Sequence, residues 1–118
     1  MSLSRNALII DDELDICMLL SNILRQQSFK TNYALNLHDA QEQLNENAPD
    51  IVLLDLNLPD GSGFDIIPTL KAANPNVTII IQSAHDGIEE KEKALHHGID
   101  HFFSKPINVA ELKAVIAS

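Results

Sequence analysis

Cysteine, basic side chains and long apolar runs are all scarce in this sequence of 118 residues. Cys17 is the only cysteine, so an internal disulfide is excluded and a reducing, cytoplasmic setting is the simpler interpretation. Eight lysines and arginines stand against 17 acidic residues. The formal net charge of −9 argues against broad electrostatic binding to nucleic acids or anionic membranes. No apolar run approaches the roughly 18 residues of a membrane span.

The chain also lacks long linkers and low-complexity stretches. Its length and its apolar fraction of 45% therefore predict one globular domain over residues 1–118. Residues 1–5 lack the apolar core of a signal peptide, and we interpret them as a disordered segment or an expression remnant. The last helical pattern reaches Ser118 without a stop signal, so we expect that the natural protein can continue beyond it.

Short apolar runs alternate with longer amphipathic segments along the chain. Continuous apolar runs predict strands that are buried on both faces at residues 7–10, 51–54 and 77–81, and weaker strands are predicted at 30–34 and 101–104. Apolar residues at helical spacing predict five helices, at residues 14–24, 37–44, 65–73, 86–97 and 108–118. This alternation is typical of an α/β fold with a five-stranded parallel sheet and right-handed crossovers.

Polar side chains follow the predicted strands at the points where the apolar runs stop. Asp11 and Asp12 follow the first strand, Asp55 the third, Ser83 the fourth and Lys105 the fifth. Each residue taken alone fits an ordinary turn or helix cap. Because the carboxyl ends of parallel strands share one edge of the sheet, we expect these side chains to lie close together.

This set of side chains predicts a site for a divalent cation and a phosphate. Clustered carboxylates repel one another, and a hard cation such as Mg²⁺ removes that repulsion. Lys105 and Ser83 offer a charge and a hydroxyl to phosphate oxygens. Since carboxylates can form acyl phosphates, Asp55 is the preferred nucleophile for phosphoryl transfer.

Four segments, in this order and spacing, resemble the receiver domain of two-component response regulators. They are LIIDDE from residue 8, DLNLPDGSG from residue 55, SA at 83–84 and GIDHFFSKP from residue 98. The resemblance covers nearly the whole chain. It implies a flavodoxin-like (βα)5 fold with helices on both faces of the sheet and the strand order 2-1-3-4-5.

The resemblance also implies a phosphorylation reaction. Asp55 would accept the phosphoryl group from a phosphohistidine on a sensor histidine kinase or a histidine phosphotransfer protein. Asp12 and Asp55 would bind Mg²⁺ directly, Asp11 through water, and Asn57 through its backbone carbonyl. Ser83 would bind the phosphoryl oxygens.

The same resemblance implies a second phosphoryl-binding group and a conformational switch. Lys105 would also bind the phosphoryl oxygens, and the peptide bond between Lys105 and Pro106 would be cis. On phosphorylation Ser83 would move toward the phosphoryl group and Phe102 would turn inward. That change would remodel the surface of the fourth helix, fifth strand and fifth helix, through which such proteins commonly dimerise.

The sequence departs from the usual receiver pattern at three positions. Ser83 stands where threonine is commoner, Phe102 where tyrosine is frequent, and Ile99 where a small alanine often follows the glycine. None of these changes removes a reactive group. Side chains at Asn57 and His85 would flank the route of the attacking water, so we hypothesise that His85 affects the lifetime of the phosphoryl group.

Two other functions stay open at this point. A receiver-like interaction module that is not phosphorylated is disfavoured by the retained acidic residues and Lys105. A hydrolase that forms an aspartyl phosphate would place an Asp-x-Asp motif after an early strand, whereas here Asn57 follows Asp55 at that spacing. We expect no metabolic enzyme, only self-phosphorylation and autodephosphorylation.

Overall fold

A central sheet of five parallel strands organises the protein, which a computed structural model describes at residues 5–85 and 87–117. The strands are β1 (Arg5–Ile10), β2 (Phe29–Ala34), β3 (Ile51–Asp55), β4 (Asn57–Leu58), β5 (Gly61–Ser62), β6 (Thr78–Ser83) and β7 (His101–Ser104). The helices are α1 (Leu14–Gln26), α2 (Leu37–Leu44), α3 (Ile67–Ala73), α4 (Ile88–His96) and α5 (Val109–Ile116). A 3-10 turn, Gly63–Ile66, precedes α3.

The order of strands in the sheet is β2-β1-β3-β6-β7, and every pairing is parallel. This confirms the expected order 2-1-3-4-5, once the two-residue strands β4 and β5 are set aside. Those two strands pair with each other as an antiparallel hairpin directly after β3. The sequence patterns did not predict this hairpin, because two residues are too few to show a period.

Helices cover both faces of the sheet, and each face has its own core. Ala7 and Ile9 of β1 belong to the core with α1 and α5, whereas Leu8 and Ile10 belong to the core with α2, α3 and α4. Alternate residues of a strand point to opposite faces, which explains this division. Because both faces are buried, the strands are continuous apolar runs.

Element boundaries differ from the predicted ones at both ends of the chain and before α4. The interpretation of residues 1–5 as a disordered segment or an expression remnant does not hold for Arg5, which begins β1 and pairs with Phe29 of β2. The Arg5 guanidinium lies 4.7 Å from the centroid of the Phe29 ring. Residues 1–4 and Ser118 lie outside the described residues, as does Asp86. The fourth helix begins at Ile88, after the extended residue Gly87.

Two aspartates fasten the amino ends of neighbouring strands, and we call them the aspartate clamps. The Asp50 carboxylate accepts a hydrogen bond from Asn6 N–H at 2.7 Å, and Asp50 N–H donates to the Asn6 carbonyl at 2.8 Å. Asp100 does the same for Ile79, at 2.8 and 2.9 Å. Each clamp satisfies backbone groups at the edge where the ladder begins, so it fixes the register of the strands.

A third aspartate ties the β4–β5 hairpin to α2. The carboxylate of Asp60 accepts hydrogen bonds from the N–H groups of Leu37 and His38, at 2.8 and 3.0 Å. These two bonds hold the pKa of Asp60 below its ordinary value. Asn36 caps the same helix, since its Oδ1 accepts from Asp39 N–H at 2.8 Å. The loop that follows β3 is therefore held against the start of α2.

No helix among residues 5–85 and 87–117 has the length and apolar character needed to cross a membrane.

Candidate functional site

Three aspartates meet at the carboxyl edge of the sheet. Asp11 and Asp12 follow β1 and Asp55 ends β3, and these two strands are hydrogen-bonded neighbours. One carboxylate oxygen from each of the three lies within 4.8 Å of the others. Asp11 is fully buried, Asp55 is 5% exposed, and Asp12 faces solvent.

Lys105 brings one positive charge into this cluster. Its Nζ donates to Asp11 Oδ2 at 2.9 Å and to Asp55 Oδ2 at 3.2 Å, and it lies 3.7 Å from Glu13 Oε1. Burial opposes the charged form of Lys105, but hydrogen bonds and charge from Asp11 and Asp55 outweigh burial and raise its pKa. The peptide bond between Lys105 and Pro106 is cis.

Asp55 sits in surroundings that disfavour its charge. Burial raises the pKa of the Asp55 carboxyl above its ordinary value, and the charge of Asp11 acts in the same direction. The backbone N–H of Asn57, which donates to Asp55 Oδ1 at 3.2 Å, and the ammonium of Lys105 act against this rise without cancelling it. An added cation at this edge would therefore favour the ionised, nucleophilic form.

The donor set fits a hard divalent cation. Three carboxylates stand against one ammonium within hydrogen-bonding range, so the cluster has an excess of negative charge. Carboxylate and carbonyl oxygens are the ligands that Mg²⁺ and Ca²⁺ take in proteins. A second group that could hold an ion, formed by His38, Asp39 and Glu42, lies on the exposed side of α2.

Ser83 lies at the same edge, but its hydroxyl is engaged with its own loop. It ends β6, is fully buried, and its Oγ accepts a hydrogen bond from the His85 N–H at 3.0 Å. The Ser83 carbonyl accepts from the Lys105 N–H at 2.8 Å, which joins the two loops. The side chain of His85 is exposed.

Phe102 is half-buried on the face that α4 covers. Its ring packs against the core shared by α2, α3 and α4, and Lys91 Nζ lies 5.9 Å from the ring centroid. Asn57 is exposed and begins the hairpin beside Asp55. The structure thus joins Asp11, Asp12, Asp55 and Lys105 directly and leaves Phe102 on the neighbouring face.

Gln82 is a residue of the site that the sequence analysis missed. Its Nε2 donates to Asp11 Oδ2 at 3.0 Å, so it shares that oxygen with Lys105. The signal in the sequence was a polar residue between the apolar run at 77–81 and Ser83. Gln82 is fully buried and pairs with Asp55 across β3 and β6.

Gly63 is a second missed residue, and it lies directly under Asp55. Its N–H donates to the Leu56 carbonyl at 2.8 Å, which folds the loop back on the end of β3. A Cβ at this position would lie 2.2 Å from the Asp55 carbonyl oxygen, so the loop has room only for glycine. Two glycines after Asp60 were the available signal in the sequence.

Comparison with known proteins gives consistent relatives. Residues 7–117 match the family described as the response regulator receiver domain. The chain is 33% identical over 107 residues to the luminescence regulatory protein LuxO of Vibrio campbellii. These residues make up 91% of this chain and 24% of LuxO. It is 32% identical over 114 residues to the response regulator PilR of Pseudomonas aeruginosa, and these residues make up 97% of this chain and 26% of PilR. The chain thus spans about a quarter of the length of these two relatives.

A solved structure of a response regulator shares the fold. A response regulator from Burkholderia pseudomallei superposes with a TM-score of 0.87 at 25% identity, covering 96% of this chain and 66% of that one. That crystal structure contains a phosphorylated aspartic acid, a calcium ion and citrate.

Proposed function

The chain belongs to the response regulator receiver family of two-component signalling, and from that premise we propose that Asp55 is its phosphoacceptor. One observation carries the assignment to this residue. Lys105 Nζ bonds both Asp55 and Asp11, within a cluster of three carboxylates at the end of β3. Asp11 is also buried and also binds this ammonium, but Asp55 is the aspartate of the cluster that ends β3, the central strand of the sheet.

The proposed reaction is a phosphoryl transfer from a phosphohistidine of a partner. A carboxylate oxygen of Asp55 attacks the phosphorus, the P–N bond breaks, and its electron pair returns to the imidazole, which takes up a proton. Lys105 moves from Asp55 Oδ2 to a phosphoryl oxygen, which costs little because both acceptors are anionic. The Ser83 hydroxyl supplies a further hydrogen bond to the phosphoryl group.

Mg²⁺ is the proposed metal. Asp12, Asp55 and the backbone carbonyl of Asn57 would hold it directly, and Asp11 would hold it through water. When bound, Mg²⁺ neutralises charge on the transferring phosphoryl group. The protein's own residues fix where that charge develops, since positioning and electrostatics dominate such transfers.

The most direct test is phosphorylation by a small donor. Wild-type protein incubated with acetyl phosphate and Mg²⁺ should gain one phosphoryl group by intact mass, and Asp55→Asn should gain none. Asp65→Asn, at an exposed aspartate outside the cluster, is the matched control and should behave like wild type. Absence of an adduct on wild type, with no response to beryllofluoride, would favour an interaction module. Turnover of a generic phosphate ester would favour a hydrolase.

The partner is proposed to be a sensor histidine kinase or a histidine phosphotransfer protein, in the cytoplasm. Beside Lys105 an apolar groove runs between α1 and the segment after β7, and it is lined in part by Ile16, Leu19, Pro106 and Ile107. A phosphodonor must reach Asp55 at this edge, so its surface meets that groove. The acidic charge of −9 argues against direct nucleic acid binding by this segment.

The output is proposed to be a switch through Ser83 and Phe102. Its readout surface is formed by α4, β7 and α5, where Ile88 and Leu95 of α4 are 78% and 72% exposed. Their apolar side chains stand among acidic and basic ones, which suits pairing with a second copy.

Dimerisation through this surface can be tested directly. We expect beryllofluoride to shift the protein toward a dimer in sedimentation velocity. Ile88→Ser should oppose this shift, and Leu14→Ser, at an exposed leucine of α1, should not.

Autodephosphorylation, in which water hydrolyses the acyl phosphate and releases inorganic phosphate, is proposed to end the signal, and the side chain of His85 is proposed to tune its rate. That side chain is exposed two residues after Ser83, whose Oγ accepts a hydrogen bond from the His85 backbone N–H. His85→Ala should therefore change the rate at which the phosphoryl group is lost in the presence of Mg²⁺. An unchanged rate would remove His85 from the mechanism, and the same experiment on Asn57→Ala tests the other flanking side chain.

A further inference from the structure

The side-chain amide of Gln82 is buried, and its nitrogen and oxygen differ in their hydrogen bonding. Its Nε2 donates to Asp11 Oδ2 at 3.0 Å. Its Oε1 is the one buried side-chain nitrogen or oxygen without a hydrogen-bond partner in the part of the chain that the structure describes. The residues of β6 before it, Ile79, Ile80 and Ile81, are apolar and fully buried.

An unpartnered buried oxygen destabilises a fold, and an apolar side chain at this position would avoid that cost. Sites where a sequence breaks such a local rule are commonly functional ones. Gln82 lies one residue before Ser83, and it pairs with Asp55 where β3 pairs with β6. Among the residues that the structure describes, Asp11 is the one acidic side chain to which Gln82 donates a hydrogen bond.

The carboxylate of Asp11 has three donors, of which only one is charged. Oδ1 accepts from the Glu13 N–H at 2.9 Å, and Oδ2 accepts from both Gln82 Nε2 and Lys105 Nζ. The same ammonium also bonds Asp55 at 3.2 Å, so Asp11 and Asp55 share it. A phosphoryl group on Asp55 would draw Lys105 toward itself and take it from Asp11.

We infer that Gln82 is a positioning residue that holds the buried Asp11 carboxylate in place independently of Lys105. Without Lys105, each Asp11 oxygen keeps one neutral donor: Glu13 N–H on Oδ1 and Gln82 on Oδ2. The carboxylate thus stays oriented toward the metal while Lys105 serves the phosphoryl group. This inference rests on the proposed function, because it concerns the metal and phosphoryl site at Asp55.

Gln82→Met is the informative substitution, since methionine has a similar length and no amide. Two properties of the unphosphorylated protein should respond differently. The urea midpoint should change little, because the substitution removes the unpartnered oxygen and also the hydrogen bond to Asp11, and these two effects on stability are opposed. The dissociation constant for Mg²⁺, measured by titration calorimetry, should rise by about tenfold, as for other residues that orient metal ligands.

Two further measurements separate positioning from a general packing effect. In an Asp11→Ala background, Gln82→Met should change the Mg²⁺ dissociation constant by less than about twofold, since no carboxylate is left to hold. With acetyl phosphate, the phosphorylation rate of Gln82→Met should be low at limiting Mg²⁺ and recover at saturating Mg²⁺. Gln43→Met is the matched control: Gln43 is a half-buried glutamine whose Nε2 donates to the Tyr33 carbonyl, and its loss should leave Mg²⁺ binding unchanged.

Five outcomes decide the inference. A rise in the Mg²⁺ dissociation constant that vanishes with Asp11→Ala supports it. An unchanged constant in Gln82→Met overturns it, as does an equal loss in the Asp11→Ala background. A large fall in the urea midpoint of Gln82→Met shows a packing role and also overturns it. Wild-type protein that binds no Mg²⁺ would instead overturn the proposed function, and this inference with it.

Discussion

Replacing Gly63 by alanine should disturb the backbone that carries Asp55. The added Cβ would lie 2.2 Å from the Asp55 carbonyl oxygen and 3.0 Å from Leu56 Cα. Both contacts are with backbone atoms, which cannot turn aside as a flexible side chain can. The loop or the end of β3 must therefore shift by about 1 Å to restore a van der Waals separation.

The expected change in stability follows from three contributions. Overpacking of this kind costs about 1–3 kcal/mol. The hydrogen bond from Gly63 N–H to the Leu56 carbonyl, 2.8 Å long, contributes about 1 kcal/mol that the shift would remove. The lower entropy of the unfolded chain with alanine returns roughly the same amount, so a net loss of about 1–3 kcal/mol remains. Gly63 does not have a positive φ, so the loss comes from lack of space.

Urea unfolding followed by far-ultraviolet circular dichroism measures this loss. The matched control is Gly87→Ala, because a Cβ at Gly87 meets no atom within 4 Å and its φ of −64° suits alanine. Its free energy of unfolding should stay within about 1 kcal/mol of wild type. Equal free energies for the two variants would refute the argument from the close approach.

The same shift should reach the chemistry at Asp55. Misplacing a reacting group by about 1 Å can cost up to roughly a hundredfold in rate. Gly63→Ala should therefore slow phosphorylation by acetyl phosphate under conditions where it is still folded, whereas Gly87→Ala should not. A wild-type rate in folded Gly63→Ala would show that the loop can move without moving the nucleophile.

Three further predictions concern Asp55, the clamp residue Asp100 and Cys17. Asp55→Asn should raise the free energy of unfolding at pH 7, because burial raises the pKa of the Asp55 carboxyl and its charge costs folding free energy above that pKa. The gain should shrink as the pH falls through the raised pKa and should be lost below the ordinary value of 3.8, where Asp55 is neutral in both states. A gain that does not depend on pH in urea titrations would contradict this prediction. Asp100→Ala should lower the free energy of unfolding by about 1–3 kcal/mol, because it leaves the Ile79 N–H without its acceptor. The exposed Glu92→Ala should change it by less than about 0.5 kcal/mol in the same urea experiment. Burial and the charge of Asp11 raise the pKa of Cys17 to about 11, so mass spectrometry should find it unalkylated by iodoacetamide at pH 8 until urea unfolds the chain.

The gathering of Asp11, Asp12, Asp55 and Lys105 could be predicted because it depends on one geometric rule. Parallel strands end at a common edge, so residues that follow apolar runs meet there whatever the details of packing. The ends of those runs were readable from local sequence alone. The strand order came from the family resemblance, since local sequence does not say which strand lies beside which.

Contacts between distant positions of the sequence could not be predicted for the same reason. Gln82 binds Asp11 across 71 positions of sequence, and Asp60 reaches the start of α2 across 23. The aspartate clamps, Asp50 and Asp100, likewise need the final register of their strands. Nothing local distinguishes these side chains from ordinary turn formers or solvated acids.

The direction of the Ser83 hydroxyl was beyond prediction for a different reason. In the structure its oxygen accepts a hydrogen bond from the N–H of His85 two residues later, whereas in the proposed reaction the hydroxyl would donate to the phosphoryl group. The first is a local turn of the kind that serine forms readily. Sequence identifies the hydroxyl, but the choice between partners depends on loop conformation and on the charge at Asp55.

The aspartate clamps have a consequence for engineering this domain. They align the strands from the end of the sheet that takes no part in the chemistry, through backbone groups of Asn6 and Ile79. An exchange of loops at the opposite end therefore leaves these hydrogen bonds of Asp50 and Asp100 in place. A graft that spares Asp50 and Asp100 starts from an intact scaffold, and one that replaces them must first rebuild it.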